Sequence, residues 1–190
     1  MTNENLKKWV IAALMAALTC VATMVIKCPT PTLGYIHPGD AFVLLSGIIL
    51  GPLYGAAAAG IGSMFSDIFS GYVSWAPATL IIKALTAWLA GLLFHRLQHI
   101  FKSKGARCFA VISGGILGET LMVLGYFLYE AVLAALASGS FNQASLAAGI
   151  ASSATGIPFN IMQGITGIVI CCLLLPVFSK IPDIKEWVAK

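Results

Sequence analysis

The chain has 190 residues, 59% of them hydrophobic and only 9% charged, against about 25% charged in ordinary soluble domains. With a mean hydropathy of +0.93, this composition describes a single membrane domain over residues 1–190 and sets a soluble enzyme aside. The net charge of +4 comes from no basic tract interleaved with aromatics, so nucleic acid is not an expected partner.

The N-terminal stretch "MTNENLKKWVIAALMAALTCVATMVIK" has the outline of a secretory signal. Its apolar run continues past Cys20 to Ile26 with no A-x-A site behind it, which predicts a retained first span, Trp9–Ile26. Within it Ala12 lies over Ala16 and Ala13 over Ala17, a smooth face suited to packing inside the protein or to docking another membrane subunit. The break "KCPTPTLGYIHPGD" carries Tyr35, His37 and Asp40. The second and third spans, Gly39–Leu50 and Tyr54–Phe69, are divided by "GPLYG". Both are short for a bilayer that asks for about 20 residues, so tilt or extension by their loops is expected. Asp67 ends the third span, and "SGYVSWAP" follows with Tyr72 and Trp75.

Lys83 sits inside the fourth span, Ala78–Phe94. After it "HRLQH" sets His95 and His99 at the spacing of a helical zinc pair, but no acid or cysteine is near enough to complete a site. The fifth span, Cys108–Leu136, holds Glu119, Tyr126, Tyr129 and Glu130; the sixth, Ile157–Phe178, holds Asn160 and Gln163. Cysteines 20, 28, 108, 171 and 172 form no C-x-x-C and no ligand spacing, so neither a disulfide nor a metal nor any other cofactor is expected. "HPGD" reads as a turn and helix cap. With no nucleophile beside a base, no H-E-x-x-H and no phosphate-binding loop, there is no catalytic or ATPase site to assign.

Lysine and arginine set the orientation. Lys7, Lys8, Arg96, Lys102, Lys104, Arg107, Lys180, Lys185 and Lys190 all fall on one side of a six-span bundle, while Lys27 falls on the other. Positive charge is retained inside, which predicts both termini in the cytoplasm of a prokaryotic cell and a multi-pass protein of its cytoplasmic membrane. Counting about 1.5 Å per residue from the outer ends puts Asp67 near the top of its span and Lys83 about 9 Å below the start of its own. Tyr126, Tyr129, Glu130, Asn160 and Gln163 reach the same outer layer. Polar groups within spans face a partner or a cavity. Lys83 therefore either bridges to Asp67 or Asp40, or joins Asn160 and Gln163 in bonding a polar ligand between Tyr35, Tyr72, Trp75, Tyr126 and Tyr129. Glu119, deeper in its span, fits a structural hydrogen bond, a ligand contact or a proton relay equally well.

"GYIHPGDAFVLLSGIILGPLYGAAAAGIGSMFSDIFSGYVSWAPATLIIKAL", together with "MVLGYFLYE" and "GIPFNIMQGITG", resembles the substrate-binding S components of energy-coupling factor (ECF) transporters, in particular their riboflavin-transporter-like branch. The resemblance implies an all-α bundle of six transmembrane helices, a vitamin-type ligand in an outer pocket, and no ATPase site of its own. It also implies a transmembrane coupling subunit and two ABC ATPases as partners, docking on the alanines of the first span. A pocket of aromatics with Lys83, Asn160 and Gln163 suits a small planar heteroaromatic with hydroxyls. Pyridoxine or a hydroxymethylpyrimidine leads, with riboflavin or pantothenate as alternatives. A stand-alone proton-coupled transporter using Asp67, Glu119 and Glu130 is the competing class, although no repeat of the kind such transporters carry is visible; an intramembrane enzyme is disfavoured for want of a catalytic constellation.

Overall fold

Backbone polar groups in lipid must be satisfied within the segment, which leaves the helix as the form for runs of Ala, Leu, Ile, Val and Gly such as these. The computed structural model describes residues 3–29, 35–100 and 104–189. Among them the helices are α1 (Asn3–Val25), α2 (Asp40–Phe69), α3 (Ala76–Ile100), α4 (Lys104–Ala137), α5 (Gln143–Ala154), α6 (Ile157–Phe178) and α7 (Pro182–Ala189). A short ribbon, β1 (Cys28–Pro29) against β2 (Tyr35–Ile36), pairs antiparallel with Cys28 opposite Ile36. Five helices, α1, α2, α3, α4 and α6, are long and apolar enough to cross a membrane.

α2 is one element only in name. At Gly51 the backbone takes φ 78° and ψ 172°, a region open essentially to glycine alone. A Cβ on Gly55 would lie 2.4 Å from the Ser46 carbonyl oxygen, whereas nine residues of continuous helix would separate them by about 13.5 Å. The chain therefore doubles back, and the second and third spans read from the sequence form two antiparallel arms. Pro52 opens the second arm, where a missing N–H leaves no helical bond unmade.

Small residues let these arms approach their neighbours backbone to backbone. A Cβ at Gly47 would sit 2.1 Å from the Ala87 carbonyl oxygen of α3, and one at Gly91 would sit 2.4 Å from the carbonyl oxygen of Gly47. On the other side of α2, Gly62 rests on the Ala16 backbone of α1, and α4 rests on α3 through Gly114. The first arm of α2 is the most enclosed part of the bundle, with Leu44, Leu45, Ile48 and Ile49 wholly buried.

Two helices were not expected from the sequence. α5 begins with a capping box, in which Asn142 accepts from the Ser145 backbone and Ser145 accepts from Asn142. α7 lays Ile184, Trp187 and Val188 into the same core as Met15 and Phe94. It is tied to the start of α1 by an ion pair, Lys7 to Asp183 at 2.9 Å, and by Lys8 over the Trp187 ring at 5.8 Å. Both ends of the described chain therefore meet at one end of the bundle. α3 also runs on to Ile100 and α4 begins at Lys104, so the basic connection between them is shorter than its sequence suggests.

Candidate functional site

At the end of the bundle opposite α7, polar side chains from five elements are stacked in two tiers. The lower tier is built on Asp40 at the start of α2 and Lys83 on α3. Both are completely buried, and the Lys83 ammonium donates to Asp40 Oδ1. Asp40 Oδ2 accepts from the Gln163 amide of α6 at 2.6 Å. Gln163 Oε1 in turn accepts the His37 backbone N–H at 2.9 Å, and His37 Nδ1 accepts from the Gly39 N–H at 3.1 Å. The irregular segment before α2 is thus tied down donor by donor. Burial pushes the His37 imidazole down to about 3, so it stays neutral as an acceptor at Nδ1. Lys83 also lies 5.3 Å from the Tyr126 ring centroid. Of the two bridges open to Lys83 from sequence, the structure contains the one to Asp40. Glu119 of α4 is buried beside this pair and against Gly164.

The upper tier encloses a cavity of about 30 Å³, room for a water or two. Tyr35 of β2 donates to Asp67 Oδ1 at 2.8 Å, and burial, with the Asp67 charge adding to it, raises the Tyr35 hydroxyl above its ordinary range and keeps it a donor. Asp67 Oδ2 is buried with no hydrogen-bond partner, although Asp67 itself is only 6% exposed. Tyr126 donates to Thr79 at 3.1 Å, leaving the Thr79 hydroxyl to face Asp67. Aromatic rings wall the space. Tyr35 packs on Tyr72 at 4.8 Å, and Trp75 lies between Tyr126 at 6.3 Å and Tyr129 at 5.6 Å. Tyr129 also bonds the Ser74 carbonyl, which pins the rim to α4. Glu130 and Asn160 complete the wall from α4 and α6.

Of the residues singled out in the sequence, Tyr35, His37, Asp67, Tyr72, Trp75, Tyr126, Glu130, Asn160 and Gln163 line this cavity. Tyr129 stands behind Trp75. Asp40 and Lys83 lie beneath, joined to the wall through Gln163. Two participants were missed. Thr79 lines the cavity one turn above Lys83 on the same face of α3, and that i, i+4 spacing was the available signal. Lys27 donates to Ser70 and covers the Tyr35 ring at 4.9 Å; the sequence sets it apart only as the basic residue on the outer side.

At some distance from this site, α1 presents its alanines to two environments. Ala12 is buried and Ala16 backs onto Gly62, whereas Ala13 and Ala17 are exposed. They line an apolar groove of about 570 Å³ between α1 and the second arm of α2, floored by Ala57, Ala58 and Ile61. Among the described residues no group of three His, Cys, Asp or Glu side chains is placed to hold a metal.

A family model described as the ECF-type riboflavin transporter S component matches residues 3–180. A relative from Pyrococcus woesei, described as an uncharacterized protein in the gap 3′ region, is 37% identical over 108 residues. That match covers 56% of this chain and 66% of the relative, a little under two thirds of its length. The solved structure of the S component of a bacterial ECF transporter has the same fold, with a TM-score of 0.61 at 20% identity over 93% of this chain and 97% of that one.

Proposed function

The chain belongs to the ECF-type riboflavin transporter S component family, and from that premise we propose that it captures a small water-soluble vitamin or vitamin precursor outside the cell for an ECF-type importer. It is a multi-pass protein of the cell membrane and a transport subunit, not an enzyme. The observation that carries the proposal is the aromatic-walled cavity around Asp67, roofed by Tyr72 and Trp75 at one end of the bundle. Counting the two arms of α2 separately gives six crossings. The basic residues at the α7 end support an orientation with both termini in the cytoplasm and the cavity outside.

A cavity this small takes a ring only after its rim has moved. A single ring, pyridoxine or a hydroxymethylpyrimidine, requires the least opening. Riboflavin, with three fused rings, requires far more, and pantothenate would set its carboxylate against Asp67 and Glu130. Energy comes from a transmembrane coupling subunit and two ABC ATPases, with the coupling subunit docked in the groove beside Ala13 and Ala17, where small side chains permit close approach. The test is mass spectrometry of the small molecule that co-purifies from expression in rich medium, together with co-purification of the ECF module. A vitamin-type heteroaromatic bound one to one supports the proposal; loss of neither ligand nor uptake on Trp75→Ala overturns it. The buried Glu119 favours one other reading, proton-coupled transport without the ATPases. Uptake that collapses with a protonophore and persists without the module would establish that alternative.

A further inference from the structure

The charges around the cavity are unevenly distributed. Lys83 is committed to Asp40 in the tier below. Lys27 is turned onto Ser70 and the Tyr35 ring. His37 accepts a hydrogen bond at Nδ1, which fixes a neutral imidazole. Among the described lining residues there is no lysine or arginine, and Asp67 brings a carboxylate to the wall. One oxygen of Asp67 is already occupied by Tyr35, while the other is buried and makes no hydrogen bond of good geometry, with the Thr79 hydroxyl facing the carboxylate. An acceptor left unsatisfied in a buried site is costly, and a donor brought by a ligand relieves that cost.

Resting on the reading of this cavity as the substrate site, we propose that it selects positively charged or amine-bearing single-ring heteroaromatics and rejects anionic ones, with Asp67 as the selecting residue. The ligand N–H would take the vacant oxygen of Asp67. The faces of Trp75, Tyr72 and Tyr126 would add the attraction of aromatic rings for a cation. An anionic group of the same shape would be set against the Asp67 carboxylate, a repulsive element of the kind that specificity needs.

The test uses the purified full chain in lipid nanodiscs at neutral pH and three probes sharing one pyridine ring: pyridoxamine, pyridoxine and 4-pyridoxate. They differ in carrying an ammonium, a hydroxyl or a carboxylate at the same carbon. The expected order of affinity is amine, alcohol, acid, with the amine at least about tenfold tighter than the acid. Asp67→Asn keeps an acceptor for Tyr35 and should bring the affinities for the amine and the acid together. Tyr35→Phe, which keeps the charge, should retain the order. An acid that binds as tightly as the amine, a preference that survives Asp67→Asn, or no binding of the amine at millimolar concentration overturns charge selection. Failure of the underlying site assignment has a different signature: probe binding, in whatever order, that Trp75→Ala does not weaken.

Discussion

Replacing Lys83 with methionine removes the ammonium and keeps most of the side-chain length. Asp40 would then stand completely buried with the Gln163 amide still donating to it and Glu119 close by. Breaking a buried ion pair from one side costs about 3–5 kcal/mol. Coulomb attraction at contact in a medium of effective dielectric ~20 gives about 4 kcal/mol, in agreement. The double variant Lys83→Met/Asp40→Asn removes the stranded charge and keeps an acceptor for Gln163, so the two changes should couple favourably by at least about 2 kcal/mol. Reversible unfolding in mixed micelles, followed by tryptophan fluorescence, measures all four corners of that cycle. A Lys83→Met protein as stable as the wild type, or a double variant no better than the single, would refute the structural pair. Lost ligand affinity at unchanged stability would instead put the ammonium on the ligand.

Gly51→Ala forces a side chain into a backbone region it rarely enters, and although the space around it is open, destabilisation of about 1–3 kcal/mol is expected in the same unfolding assay. His37 makes stability depend on acid. Its folded value of about 3 lies below the ordinary 6.5, so the contribution is complete above pH 6.5 and falls by up to about 1.4 kcal/mol per unit as pH drops from there toward 3. Melting curves across that range should flatten in His37→Gln. Ala13→Trp or Ala17→Trp, on the exposed face of α1, should abolish co-purification of the ECF module without changing ligand affinity. Ala16→Trp, set against Gly62, should instead reduce the yield of folded protein.

Much of this arrangement is legible in the chain. "GPLYG" marks the reversal at Gly51 because a Gly-Pro pair both permits the turn and starts the next helix. Residue counting from the span ends brings Tyr126, Trp75 and Asp67 to one level because helical rise is constant. Partner choice is not legible. Whether Lys83 meets Asp40 or Asp67 depends on how deeply the segment before α2 dips, and the His37–Gln163 bond, between residues far apart in sequence, fixes that depth. α5 also escaped, since a 12-residue run of Ala and Ser with no charge has no strong apolar period, and only Asn142 and Ser145 signal its start. α7 is eight residues long and earns its place by burying Trp187, a tertiary contact.

The glycine contacts of α2 and α3 have a mechanical side. Where Gly47 meets Ala87 and Gly91 meets Gly47, carbonyl oxygens press on bare Cα atoms with no side chain between them to rearrange. Sliding either helix by a single residue, about 1.5 Å, would drive one backbone into the other, so shear along this seam is blocked. α4 is seated on α3 in the same way through Gly114, and α1 on the second arm of α2 through Gly62. At the rim the situation is reversed: Gly71, at φ 82°, has nothing within 4 Å of where a side chain would begin. What holds the few residues between α2 and α3 is side-chain bonding, Lys27 to Ser70 and Tyr129 to the Ser74 carbonyl, and those are the bonds that would have to break for this short strap to move while the helices below keep their places.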